Sequence, residues 1–355
     1  METHKAVKIW LFAGLVMLFV QVIVGGITRL TGSGLSITKW EIVTGTLPPM
    51  TDESWREEFD LYKETPQYKE INEGMEMGSV FESGTFKFIY FWEWFHRLWA
   101  RVMGLVFIFP LIYFITRGWI KKPLMIRLAV VFILAGLAAS FGWIMVASGL
   151  IERPWVNAYK LSFHLCIAFA VYAYLLWTYF LTSIPDSKLD GIPERNNFRI
   201  VGIVFTILLC IQIFFGGIMS GMKAGVIFPT WPDMNGELIP QIVFNISEWN
   251  VENFNFYDRN IFMPALIHLI HRTLAYVMFL VGLYYGYKII KSKLIPASKT
   301  GAYVLIIVLI IQVLLGIITV INCQGSIPVF YGVMHQGVAL FLLTASFYMN
   351  YRFKT

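Results

Sequence analysis

Within Phe91-Trp92-Glu93-Trp94-Phe95-His96-Arg97-Leu98-Trp99-Ala100-Arg101, four ionisable side chains recur at helical spacing. Three or four residues apart, Glu93, His96, Arg97 and Arg101 fall on one face at 3.6 residues per turn. The stretch lies in an apolar run from about Phe88 to Ile115, long enough to cross a bilayer at roughly 20 residues per span. Charges on such a helix are costly unless they face protein, cofactor or water. A carboxylate there can act as a base or stabilise a developing positive charge, and an imidazole can ligate a metal. The plainer alternative is an internal ion pair of Glu93 with Arg97 or Arg101, with His96 a packing residue.

The other histidines bear on that choice. Of six, His4 is in the N-terminal tail, and His96, His164, His268, His271 and His335 lie in apolar runs. His96-Arg97 is echoed by His271-Arg272, and His164 by His335. Gly25-Gly26-Ile27 is echoed by Gly216-Gly217-Ile218, and Gly142 by Gly316, in the same order and at offsets of 171 to 191 residues. Each repeated histidine is seven to nine residues inside one end of its span, about 12 Å deep at 1.5 Å per residue. Two imidazoles on separate helices at one level suit a haem iron with two axial ligands. Tetrahedral zinc asks for cysteine or carboxylate as well. A di-iron centre asks for several glutamates and two Glu-x-x-His motifs. Here Glu93-x-x-His96 occurs once, and His268-x-x-His271 takes its place in the second half, where His268 reads as a packing or supporting residue.

The elements that must position these groups are eight apolar runs, at about 7–27, 88–115, 124–148, 158–182, 198–220, 262–290, 301–322 and 328–350. The chain has 355 residues, 57% hydrophobic and 14% charged, with a mean hydropathy of +0.65. Soluble domains carry about 25% charge, so the expected class is an all-α integral membrane protein. Its eight spans form two parallel four-helix units, 1–190 and 191–355, since four spans per unit preserve orientation. The formal charge of +6 is dispersed over short loops, which argues against nucleic acid. Lys5, Lys8, Arg117, Lys121, Lys122, Arg127, Lys188, Arg195, Arg199, Lys288, Lys291, Lys293, Lys299, Arg352 and Lys354 fall on the side of the termini, which the positive-inside rule makes cytoplasmic. The first segment lacks a cleavage site and no transit peptide precedes it, so a bacterial inner membrane is expected. Three cysteines make neither a disulfide framework nor a metal cluster.

Two outer connections, about 28–87 and 221–261, are long enough to be lids or binding loops. A short surface helix is expected near 52–64, whereas prolines exclude regular helix from Phe228 to Gly236.

Over almost its whole length the chain resembles the haem A synthase family. The matching pieces are Gly25-Gly26-Ile27-Thr28-Arg29-Leu30-Thr31-Gly32-Ser33-Gly34-Leu35-Ser36, Trp40, Gly45 and Pro48-Pro49. Next come Phe88 through Arg97, Ser148-Gly149-Leu150, and Tyr159 through His164. In the second half they are Ala224-Gly225, Thr230 through Gly236, His271-Arg272 and His335-Gln336. The long first loop without a cysteine pair resembles the mitochondrial and proteobacterial branch.

The resemblance implies oxidation of the C8 methyl of haem O to a formyl group, giving haem A for terminal oxidases. It implies haem O between His96 and His164, Glu93 as catalytic carboxylate, and haem b between His271 and His335. Arg29, Arg97, Arg101, Arg272 and His268 are candidates for propionate contacts or for supporting the ligands. The run Ala265 to Ile270 departs from the family's usual Gln-Phe pattern, which leaves His268 without an assigned role. Expected partners are membrane lipid, haem O synthase and an unidentified electron donor or acceptor, with a homo-oligomer left open. The rival reading is a di-haem b electron carrier of the quinol oxidoreductase type, but such carriers place their haems at two depths. A transporter would need interrupted helices and midplane charges.

Overall fold

A computed structural model describes residues 3–39, 44–151, 153–185 and 195–354. Trp40, Lys188 and the boundary between 190 and 191 lie outside the described residues. The described fold is all helix. Eight helices are long and apolar enough to cross a membrane. They are α1 (Lys5–Leu30), α4 (Phe86–Thr116), α5 (Lys122–Gly149), α6 (Ala158–Ser183), α7 (Arg195–Gly221), α10 (Phe262–Lys291), α11 (Pro296–Ile321) and α12 (Val329–Arg352). Short helices α2 (Asp52–Lys63) and α3 (Pro66–Glu70) lie in the first long connection, and α8 (Ala224–Ile227) and α9 (Val251–Asn255) in the second.

Local chemistry sets these limits. Thr51 and Ser54 form a capping box at the start of α2, whose first turn carries Asp52 and Glu53, as expected where a helix N-terminus favours oxygen acceptors and negative charge. Asn157 caps α6 by accepting from the Tyr159 and Lys160 amides. The seventh span begins at Pro296, five residues before the apolar run suggests. Proline at the first helical position forfeits no intrahelical bond, so the polar turn Ser298-Lys299-Thr300 is helical too.

Along each membrane helix, α1 packs on α4, α6 and α12; α5 packs on α6; α7 packs on α6, α10 and α12; and α11 packs on α10 and α12. The main apolar core is one-sided. It runs through Trp10, Leu128, Leu175, Phe205, Tyr285, Leu305 and Met349, all toward the end where both termini lie. At the level of His96, His164, His271 and His335, nearer the long loops, the four imidazoles are only half-buried.

Candidate functional site

Each of the four histidines lies against a glycine of a neighbouring helix. A Cβ placed on Gly25 of α1 would come 3.0 Å from His96 Cε1 on α4. On Gly142 of α5 it would come 3.0 Å from His164 Cε1 on α6. The corresponding distances are 2.9 Å from Gly216 to His271 and 3.0 Å from Gly316 to His335. Any side chain at these positions would press on the ring, so glycine permits the close approach. His96 and His164 are within electrostatic reach of each other, and so are His271 and His335.

Four residues before each glycine, one turn along the same helix, a second contact recurs. Gln21 Nε2 lies 3.2 Å from His96 Nε2, Gln212 Nε2 lies 3.3 Å from His271 Nε2, and Gln312 Nε2 lies 3.4 Å from His335 Nε2. The fourth position is Ala138, which offers His164 only a backbone carbonyl, 3.0 Å from Nδ1. His335 Nδ1 likewise meets the Gln312 carbonyl at 3.1 Å. A carbonyl can only accept, so these Nδ1 atoms carry the hydrogen and Nε2 keeps its lone pair for a metal or a donor. The side-chain oxygens of Gln21, Gln212 and Gln312 are all buried without a partner.

Glu93, 3% exposed, is one turn of α4 from His96. Its Oε2 accepts from the Ser36 amide at 2.7 Å, the Ser36 hydroxyl at 2.8 Å and the Ile37 amide at 2.9 Å. Its Oε1 accepts from Arg97 at 2.6 Å. The ion pair weighed from the sequence therefore forms, and with Arg97. The carboxylate also fastens the first loop onto α4. That loop is braced from behind, because Gln67 donates to the Gly32 carbonyl at 2.9 Å and accepts from Tyr62 at 3.1 Å. Burial pushes the Tyr62 hydroxyl up to about 12.

The second half has no carboxylate in the matching place. His268 stands there, 2% exposed, edge-on to Phe228, with its Nδ1 buried and unpartnered. Arg272 repeats the loop-holding part of Arg97's work. It donates to the Pro232 carbonyl at 2.7 Å and the Leu238 carbonyl at 2.6 Å, while Arg97 reaches the Lys39 and Ile37 carbonyls at 3.3 and 3.4 Å. Arg29 donates across to the Ser220 and Gly221 carbonyls on α7. Gln336, beside His335, donates to the Val22 carbonyl on α1 at 2.7 Å. Of the arginines singled out as propionate candidates, Arg29, Arg97 and Arg272 thus spend donors on backbone carbonyls, while Arg29 Nε and Arg272 Nε are buried atoms without a hydrogen bond.

Among the described residues no three His, Cys, Asp or Glu side chains converge on a common point. Two imidazoles per half, each against a glycine of a neighbouring helix, fit a haem.

Sequence reasoning used the four glycines as markers of the repeat without seeing what they touch. The three glutamines it missed altogether, although each is four residues before its glycine. Nothing in the pattern marks the Ser36 and Ile37 amides, because a backbone donor has no signature.

Fold and site together define an all-α membrane-spanning protein with histidines in two pairs, one of them with a carboxylate one turn away. The description "cytochrome oxidase assembly protein", COX15-CtaA, matches residues 8–347. The Heme A synthase of Flavobacterium johnsoniae is 39% identical, covering 99% of this chain and 98% of its own. Those of Nitrosospira multiformis and Bradyrhizobium diazoefficiens are each 35% identical, covering 99% and 97% of this chain and 94% and 90% of theirs. The chain belongs to this cytochrome oxidase assembly family, among the haem A synthases.

Proposed function

We propose that this protein is a haem A synthase, an oxidoreductase that converts the C8 methyl of haem O to the formyl group of haem A. The observation that carries the reading is an asymmetry. Two matched sets of histidine and glycine contacts carry different residues one turn before the first histidine, where the first half has Glu93 and the second has His268. His96 and His164 would hold the substrate haem O. His271 and His335 would hold haem b, which supplies one-electron transfer.

The chain's own residues have separate tasks in this reading. Glycines 25, 142, 216 and 316 let the rings come close. Glu93 offers a fixed negative charge to the positive charge that develops on the methyl carbon as electrons leave. Arg97, Ser36 and Ile37 hold that carboxylate still, so little reorganisation is required during reaction. His268 carries no such charge, which leaves the second half without a carboxylate for the oxidation. The cationic side chains on the side of the termini, together with bacterial relatives, favour a bacterial inner membrane with both termini cytoplasmic. Haem O synthase would supply the substrate, and either an electron acceptor with water, or O₂, would supply the oxidising equivalents and the formyl oxygen.

Mass spectrometry of copurifying pigments tests this. Haem A or hydroxylated haem O is expected beside haem b, with haem b lost selectively from His271→Ala. Haem b as the sole pigment, even when haem O is supplied in the cell, would leave only an electron carrier.

A further inference from the structure

The two halves differ in how they close. Helices α10 and α11 pack against each other, but their counterparts α4 and α5 share no comparable interface, although they are consecutive. Helix α4 is tied from its other side, where Trp10 donates to the Val106 carbonyl at 3.0 Å and Trp99 to the Met17 carbonyl at 2.9 Å.

What lies between α4 and α5 can be followed residue by residue. Toward the termini, Phe107 meets Phe132 with ring centroids 6.0 Å apart. Toward the loops, Arg97 faces Trp143, Val146, Ala147 and Leu150 across a cavity of about 320 Å³. Gly104 is seven residues inward from Arg97, and Gly136 seven residues inward from Trp143. Seven residues are two turns, so the two glycines lie on the facing stripes at one level, about 10 Å below the cavity. Of the glycines in the eight membrane helices, among the described residues, these two alone have no neighbour where a Cβ would stand. The slot thus begins beside His96 and His164, at a mouth where Arg97, Thr38 and Lys39 face Trp143, Val146 and Leu150, and runs inward past the two open glycines.

We propose that this slot takes the long hydrocarbon tail of the substrate porphyrin and admits it sideways from the membrane. A tail-bearing haem then fits the first half, and the second half, closed by α10 against α11, retains a tail-less one. The proposal rests on the function proposed above. It adds the route and the reason for choosing between two otherwise matched sites.

The test uses the purified chain with its resident haem in lipid nanodiscs, offered ferric haem O or tail-less ferric protoporphyrin haem, with uptake read from the Soret band. A Cβ at Gly104 or Gly136 meets nothing within 4 Å, so Gly104→Phe and Gly136→Phe project a ring into the slot from unobstructed positions. Haem O uptake should fall at least about tenfold in both, as when binding must await a conformational change. Uptake of the tail-less haem, and resident haem content, should stay as in the original chain. Gly104→Leu and Gly136→Leu, which favour the helix, serve for any Phe variant that loses resident haem. Unchanged haem O uptake in variants that keep their resident haem would overturn the slot. If the original chain takes up haem O no better than its His164→Ala variant, the proposed function fails first, and the slot with it.

Discussion

Glu93→Gln separates the two tasks assigned to that side chain. The amide keeps its oxygen for the Ser36 and Ile37 donors but turns an NH2 donor toward Arg97. The pair is well buried, with side-chain exposures of 14% for Arg97 and 4% for Glu93. Removing one partner of a buried pair costs about 3–5 kcal/mol. Arg97 keeps its contacts with the Lys39 and Ile37 carbonyls and some water, so about 2–3 kcal/mol is the better figure here. That cost falls on docking of the first loop, not on the eight-helix fold. If the carboxylate also stabilises charge at the reacting carbon, haem A formation should drop by a further factor of about 10²–10³. Hydrogen exchange over residues 33–37 in nanodiscs reads the docking, and pigment mass spectrometry reads the reaction. Ser36→Ala is the companion, removing one donor at 2.8 Å and about 1 kcal/mol of docking while leaving the charge. A fall in haem A under Ser36→Ala as deep as under Glu93→Gln would show that the docked loop is what matters. Normal haem A from Glu93→Gln would refute the reasoning outright.

Four other outcomes follow from single contacts. Gly316→Val should press on His335 and lower resident haem content about tenfold, as overpacking by 1–3 kcal/mol implies, while normal content would mean the ring does not need that approach. Ala138→Gln should place a fourth amide beside His164 Nε2, and the hydrogen bond then to be displaced should weaken ferric haem O binding about fivefold in a Soret titration. Arg272→Gln loses charged donors to two carbonyls and should speed proteolysis between residues 228 and 240, at about 1.5–3 kcal/mol per bond. Tyr62 ionises near 12 rather than the ordinary 10.0, so its contribution to holding the first loop is complete below pH 10 and fades as the pH climbs toward 12. The difference in tyrosinate absorbance between the original chain and Tyr62→Phe should show that late ionisation, and a difference centred near pH 10 would contradict it.

The eight spans were legible because an uninterrupted apolar run in a chain this hydrophobic has few alternatives to a membrane helix, and α2 because Trp55, Phe59 and Tyr62 recur at helix-permitting spacing. The histidine series was legible as spacing. What spacing does not carry is the rotation of one helix against its neighbour, and the unforeseen contacts depend on it: Gly142 under His164, Gln212 at His271, Gln336 reaching α1. Charge made Arg29, Arg97 and Arg272 candidates for propionate contacts or for supporting the ligands, and Arg97 also a candidate partner of Glu93. Backbone carbonyls compete for the same donors, and sequence gives no measure of how many face inward. Glu93 shows the converse. Its position in the motif was visible, but its two loop amides come from residues 56 and 57 positions away, brought there by a chain reversal that only the folded loop defines. The same loop therefore joins both ends of the argument. Tyr62 and Gln67 brace it, it holds Glu93 in place, and Arg97 spans from that carboxylate to the mouth of the slot between α4 and α5. A protein with matched imidazole pairs in its two halves can give them different tasks by changing what surrounds one pair, and here the differences gather on α4 and its neighbours.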